Sequence, residues 1–144
     1  MFKQILIPTD GSDLSGAAVR AGVDFAKDTG GRVTFVTVTI PFPYSPLGEY
    51  APQTQAIYDD EMRKAGDTAL AGAAALARTA GVPCDTRRYH EWSPYLAIVR
   101  AADEVGADVI FMASHGRRGM AGMLLGSETQ KVLTHCKLPV IVYR

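Results

Sequence analysis

Gly116, Gly126 and Ser127 stand at a spacing that suits a bound phosphate. Glycines let backbone N–H groups approach an anion because no Cβ intervenes, and a helix N-terminus adds partial positive charge. The run Ser114-His115-Gly116-Arg117-Arg118-Gly119 leads on to Leu124-Leu125-Gly126-Ser127, where a helical pattern begins at once. Arg117 and Arg118 can add full charge, and the Ser127 hydroxyl can donate to a phosphate oxygen. A second reading stays open, because Ser127-x-x-Gln130 is also a capping box, which needs no ligand. His115 is either a ligand contact or a surface residue. Neither G-x-x-x-x-G-K-[ST] nor G-x-G-x-x-G is present, which excludes the P-loop and the usual dinucleotide fingerprint. Without G-x-S-x-G, Ser114-His115 has little support as a nucleophilic pair.

Pro8-Thr9-Asp10-Gly11-Ser12 forms the other candidate group. A carboxylate at the end of a buried strand can accept a hydrogen bond from a ribose hydroxyl or an adenine amino group. Asp10 can equally fix its own turn through an Asx hydrogen bond. His90 and His135 have no partner at metal-ligand spacing, so no metal site is assigned.

Both groups must be placed by regular elements. Phe2 to Ile7, Arg32 to Ile40, Cys84 to Glu91, Asp108 to Met112 and Pro139 to Tyr143 are short apolar or β-branched runs suited to strands. Between them lie helical patterns. The first starts at the N-cap Ser12 and stops at Gly30-Gly31, and the second carries the stripe Tyr58, Met62, Ala65, Ala69, Ala73 and Leu76 up to Gly81. The third runs from Pro94 to Val105 before Gly106, and the fourth from Ser127 to His135. Pro41 to Gln55, with four prolines and two tyrosines, reads as a long exposed connection. The order β-α-β-α-β-α-β-α-β predicts an α/β fold, a doubly wound five-stranded parallel sheet with helices on both faces. Ligands of such sheets sit beyond the carboxyl ends of the strands, where strand order reverses. The Asp10 loop and the Gly116 loop both belong to that rim.

Composition narrows the function classes. At 144 residues, with 47% hydrophobic and 21% charged residues, the chain is expected to be one domain over residues 1–144. Its 15 basic and 15 acidic residues cancel, leaving no electrostatic footprint for nucleic acid or a membrane surface. No apolar run approaches the roughly 20 residues that span a bilayer. The N-terminus lacks the apolar core and cleavage site of a secretory signal. Cys84 and Cys136 read as reduced structural thiols. The expected setting is cytoplasmic.

These residues resemble the universal stress protein family. The resemblance runs through Ile5-Leu6-Ile7-Pro8-Thr9-Asp10-Gly11-Ser12, Ala107-Asp108-Val109-Ile110, Ser114-His115-Gly116-Arg117-Arg118-Gly119, Leu124-Leu125-Gly126-Ser127 and Leu138-Pro139-Val140-Ile141-Val142. The ATP-binding branch carries G-2x-G-9x-G-[ST]; Gly116, Gly126 and Ser127 match its second half, and Ala113 stands at its first glycine. The resemblance implies that Gly116, Gly126 and Ser127, with backbone at His115, Arg117 and Glu128, hold the phosphates of ATP, ADP or AMP. Pro8, Thr9, Asp10 and Val38 would line the adenine and ribose, and Met112 and Ala113 would approach the ribose. A magnesium ion accompanying the nucleotide is left open. Trp92 stands where the family usually has glycine before a small residue and proline; an indole there can stack near a base, plug the pocket or shield the sheet end, and shielding is the expected role.

The family further implies a homodimer paired through Pro139 to Tyr143, a strand that would otherwise leave an unpaired edge. The expected function is a nucleotide-dependent regulator or switch in stress response. Any ATP hydrolysis should be slow, since no residue stands out as a base or arginine finger. The alternative is a dimeric interaction protein that binds no nucleotide. Pro41 to Gln55 and the helix after it would meet an unidentified protein partner.

Overall fold

Side chains alternate across the strands, and each set meets its own pair of helices. The computed structural model describes residues 1–43, 52–116, 122 and 124–144. Five strands, β1 (Gln4–Pro8), β2 (Arg32–Thr39), β3 (Cys84–His90), β4 (Val109–Ala113) and β5 (Val140–Tyr143), form one parallel sheet in the order β3-β2-β1-β4-β5. Ile5, Ile7, Val33, Phe35, Val109 and Phe111 point to the face covered by α1 (Asp13–Thr29) and α2 (Pro52–Ala80). Leu6, Val36, Ile110 and Met112 point to the other face, under α3 (Pro94–Val105) and α4 (Ser127–His135). This is the doubly wound arrangement expected from the element order, and β1 and β4 lie side by side where the chain changes direction.

Helix boundaries follow local chemistry. Ser12 caps α1, its Oγ accepting from Ser15 N at 3.3 Å. Gly30 (φ 63°) and Gly106 (φ 64°) end α1 and α3 in the left-handed region that glycine enters at no steric cost. Lys3 and Gln4 donate their backbone N–H groups to the Asp108 carboxylate, with Lys3 N 2.8 Å from Oδ2, which docks β1 against the entry to β4.

Two expectations for α2 need correction. The helix begins at Pro52, so residues 52–55 are helical rather than part of the connection; proline suits a first helical position, where its missing N–H is not needed. Residues 44–51 of that connection lie outside the described residues. The buried stripe is Gly66, Leu70, Ala73, Ala74 and Ala77, rotated from the expected one, and Leu76 is exposed. Gly66 lies on the buried face. A Cβ there would come within 3.2 Å of Thr37 Cγ2, so the glycine admits α2 close to β2.

A hollow of about 460 Å³ remains between α1 and α2, lined by small residues including Gly16, Ala65, Ala69 and Gly72. A Cβ at Gly72 would meet nothing within 4 Å. Gly72→Ala is therefore expected to raise stability by about 0.5–1 kcal/mol, by removing a glycine from a helix interior without strain. A higher urea midpoint at unchanged slope checks this.

Candidate functional site

The loop after β1 is fixed by its own hydroxyls. Thr9 continues the sheet, its N–H 2.8 Å from Val36 O, and its side chain is buried. Ser15 Oγ donates to Thr9 Oγ1 at 2.8 Å and accepts from Asp10 N at 3.1 Å. Asp10 Oδ1 accepts from Ser12 N at 2.9 Å, so the Asx turn is formed, with Gly11 at φ 78° completing the bend. The carboxylate stands exposed at the rim.

The loop after β4 closes on the same point. An ideal Cβ on Gly116 would lie 2.5 Å from Asp10 Oδ2, so the two loops meet here and a side chain at 116 would displace the Asp10 carboxylate from its present position. Ser114 N donates to Tyr143 O at 2.7 Å, tying the loop to β5, and Gly126 N donates to Ser114 O at 2.7 Å, bringing the far end of the loop back to its start. At Gly126 a Cβ would lie 2.8 Å from His115 Cβ and 3.0 Å from His115 Cα. His115 Nδ1 sits 3.2 Å from Ser114 Oγ.

The capping-box reading of Ser127 is overturned. The cap is Gly126, without a side-chain cap hydrogen bond, and Ser127 is the first residue inside α4, with its side chain exposed. Gln130 does not reach back to a cap; its Nε2 donates to Leu125 O at 3.2 Å. The next side chains turn away from the helix end. Thr129 Oγ1 donates to Ala113 O at 3.0 Å, and Glu128 Oε2 accepts from Tyr95 N at 2.9 Å, capping α3 instead. The first turn of α4 thus offers backbone N–H groups and one hydroxyl toward the rim, with the partial positive charge of a helix start.

Ala113 ends β4 with no positive φ, so the methyl at the first glycine position of the motif brings no backbone strain. Val38 and Met112 lie on the α3 and α4 face in one apolar cluster, Met112 buried and Val38 half-buried beside it, while Pro8 is half-buried at the end of β1. Pro8, Thr9, Asp10, Ala113, His115, Gly116, Gly126, Ser127 and Glu128 are gathered at one end of β1 and β4. Arg117 and Arg118 lie outside the described residues. Trp92 does not bury itself against the sheet end as expected; the residue is 57% exposed.

Two participants, Ser15 and Thr129, escaped the sequence reading, and Ser114, weighed there only beside His115 as a nucleophile, has a structural role instead; all three are buried hydroxyls that organise the two loops. The available signal was a small polar residue interrupting an apolar helical stripe or closing an apolar strand. A second hollow, of about 330 Å³, lies at the carboxyl ends of β2 and β3, beside Thr39, Asp60, Arg63, Arg88 and His90. Hydrogen bonds from Lys64 and Arg63 lower the Asp60 carboxyl below its ordinary value there. Among the described residues no group of three or more His, Cys, Asp or Glu could hold a metal ion, and no helix is long and apolar enough to cross a membrane.

Fold and rim together define a parallel doubly wound α/β protein whose candidate ligand site is the strand-order switch between β1 and β4. The chain belongs to the universal stress protein family, whose family model matches residues 1–144. A universal stress protein of Bacillus subtilis is 32% identical over 152 residues, covering 100% of both chains. One from Methanocaldococcus jannaschii is 31% identical over 144 residues, covering 100% of this chain and 83% of the relative. A solved universal stress protein in complex with cAMP is 29% identical, with a TM-score of 0.74, and covers 99% of this chain and 97% of its own. A family protein from Arabidopsis thaliana with AMP bound shares the fold at a TM-score of 0.70 and 15% identity, covering 97% of this chain and 90% of its own.

Proposed function

We propose that this chain binds an adenine nucleotide at the β1–β4 rim and acts in the cytosol as a nucleotide-dependent regulator of stress response. One observation carries the reading. The Asp10 carboxylate and the Gly116 loop meet beside an α4 start whose cap residue, Gly126, has no side-chain cap hydrogen bond. A carboxylate for ribose or adenine thus lies next to backbone donors for phosphate. The 29%-identical relative in complex with cAMP supports the choice of an adenine nucleotide. ATP is the proposed ligand, with ADP and AMP as shorter forms of the same chemistry. Ser127 and the N–H groups of the first α4 turn would hold the phosphates, and magnesium would add charge neutralisation to them. No general base is assigned, so hydrolysis at this site would be slow. Titration calorimetry with AMP, ADP and ATP, with and without magnesium, tests the reading. Binding near micromolar strength, about −8 kcal/mol, is expected. No heat from any of the three would remove it.

The regulator is proposed to be a homodimer through β5, with a protein partner reading the nucleotide state from the side of Pro41 to Gln55. β5 is an edge of the sheet. Pro139 O and Tyr143 O accept from Ile110 N and Ser114 N of the β4 side. By the alternation of a strand, the N–H groups of Val140 and Val142 point outward, ready for a second strand. Val142→Pro removes an outward N–H without touching the β4 ladder. It is expected to turn a dimer into a monomer in sedimentation velocity; an unchanged dimer would place the interface elsewhere.

A further inference from the structure

We propose that Trp92 is the aromatic wall of the base subsite, stacking its indole on the purine of the bound nucleotide. The inference rests on the adenine-nucleotide reading above and adds the residue that recognises the base. Val38 and Met112, the apolar floor under the expected base, belong to the cluster on the α3 and α4 face, and Tyr95 near the start of α3 packs against that same cluster. The segment leading into α3 is pinned at both ends. Glu91 N donates to Thr39 O at 3.0 Å at the end of β2, and Tyr95 N donates to Glu128 Oε2 at 2.9 Å at the start of α4. Residues 92–94 therefore bridge the end of β2 and the start of α4, along the rim that borders Val38 and Met112.

Trp92 sits on this bridge. Its backbone is held by Glu91, whose Oε1 accepts from Trp92 N at 2.8 Å. The residue is nonetheless 57% exposed, and Leu96, in the first turn of α3, is 48% exposed. Tryptophan is highly buried on average, and a fixed backbone presenting an open indole gives a planar apolar ligand a stacking face at low entropic cost. The hydroxyls and backbone donors at the other end of the rim suit ribose and phosphate, so the flat apolar group at this end is the base.

The chain has one tryptophan, so its emission reports on this residue alone. AMP is expected to shift or quench that emission, and ribose 5-phosphate, which lacks the base, to leave it unchanged. In calorimetry, Trp92→Ala is expected to weaken AMP binding about tenfold and to leave ribose 5-phosphate binding as it was. Trp92→Phe, which keeps a ring face, is expected to recover most of the loss. AMP binding to the native chain with no change in emission, or native AMP affinity in Trp92→Ala, would overturn the stacking role while leaving the nucleotide reading standing. No heat from AMP with the native chain would remove the nucleotide reading and this one with it.

Discussion

A Gly126→Ala chain is expected to bind AMP about 10- to 100-fold more weakly than the native chain while keeping its secondary structure. The added methyl would meet His115 Cβ at 2.8 Å and His115 Cα at 3.0 Å. Neither atom can swing aside as the tip of a long side chain would. The loop must shift, and with it the 2.7 Å hydrogen bond from Gly126 N to Ser114 O that sets where α4 begins. Displaced donors at the α4 start would lose about one charge-assisted hydrogen bond, worth about 1.5–3 kcal/mol. The overpacking itself is expected to cost about 1–3 kcal/mol of stability. Far-UV circular dichroism, a urea midpoint and AMP calorimetry separate the two effects. Native affinity in this variant would take Gly126 out of the binding site.

The largest loss of stability is expected at Phe35. It is 0% exposed in β2 and belongs to the cluster that seats α1 and α2. Phe35→Ala removes most of a ring from a site walled by other core residues, so its neighbours can collapse only in part. The expected cost is about 3–5 kcal/mol, a large share of the 5–15 kcal/mol that typically separates a folded domain from its unfolded state. Leu124→Ala makes the comparison: at 68% exposure its effect should stay within about 0.5 kcal/mol. Urea unfolding of both variants checks the contrast, and a loss below about 1 kcal/mol at Phe35 would contradict the packing described.

Most of the architecture was legible because it depends on local rules. Continuous apolar or β-branched runs along β1, β2 and β4 marked strands buried on both faces, and Ser12, Gly30 and Gly106 marked helix ends by chemistry that acts within a few residues. The Asp10 turn was legible for the same reason. Other features depend on distant segments. Gly66 faces the sheet, where Thr37 lies beneath it. Glu128 leaves its own helix end to cap α3 only because Tyr95 lies within reach. Gly126 displaces Ser127 from the cap because Ser114 draws its N–H back. No pattern within a short window carries that information, which is why the meeting of the Asp10 and Gly116 loops was legible while the cap position at Gly126 and the Glu128 side-chain bond to α3 were not.

The bond from Lys3 N to Asp108 spans 105 residues. β1, which this bond helps to seat, lies between β2 and β4 in the sheet. On a ribosome, the side of β1 that awaits β4 has no partner until most of the chain has been made. At ordinary synthesis rates that interval is roughly 5–20 seconds. During that time an apolar strand edge is open to other nascent chains, and the loops of the rim cannot yet meet. The two loops can therefore meet only after nearly the whole polypeptide has emerged, and a truncated translation product would expose a sticky edge without the assembled rim.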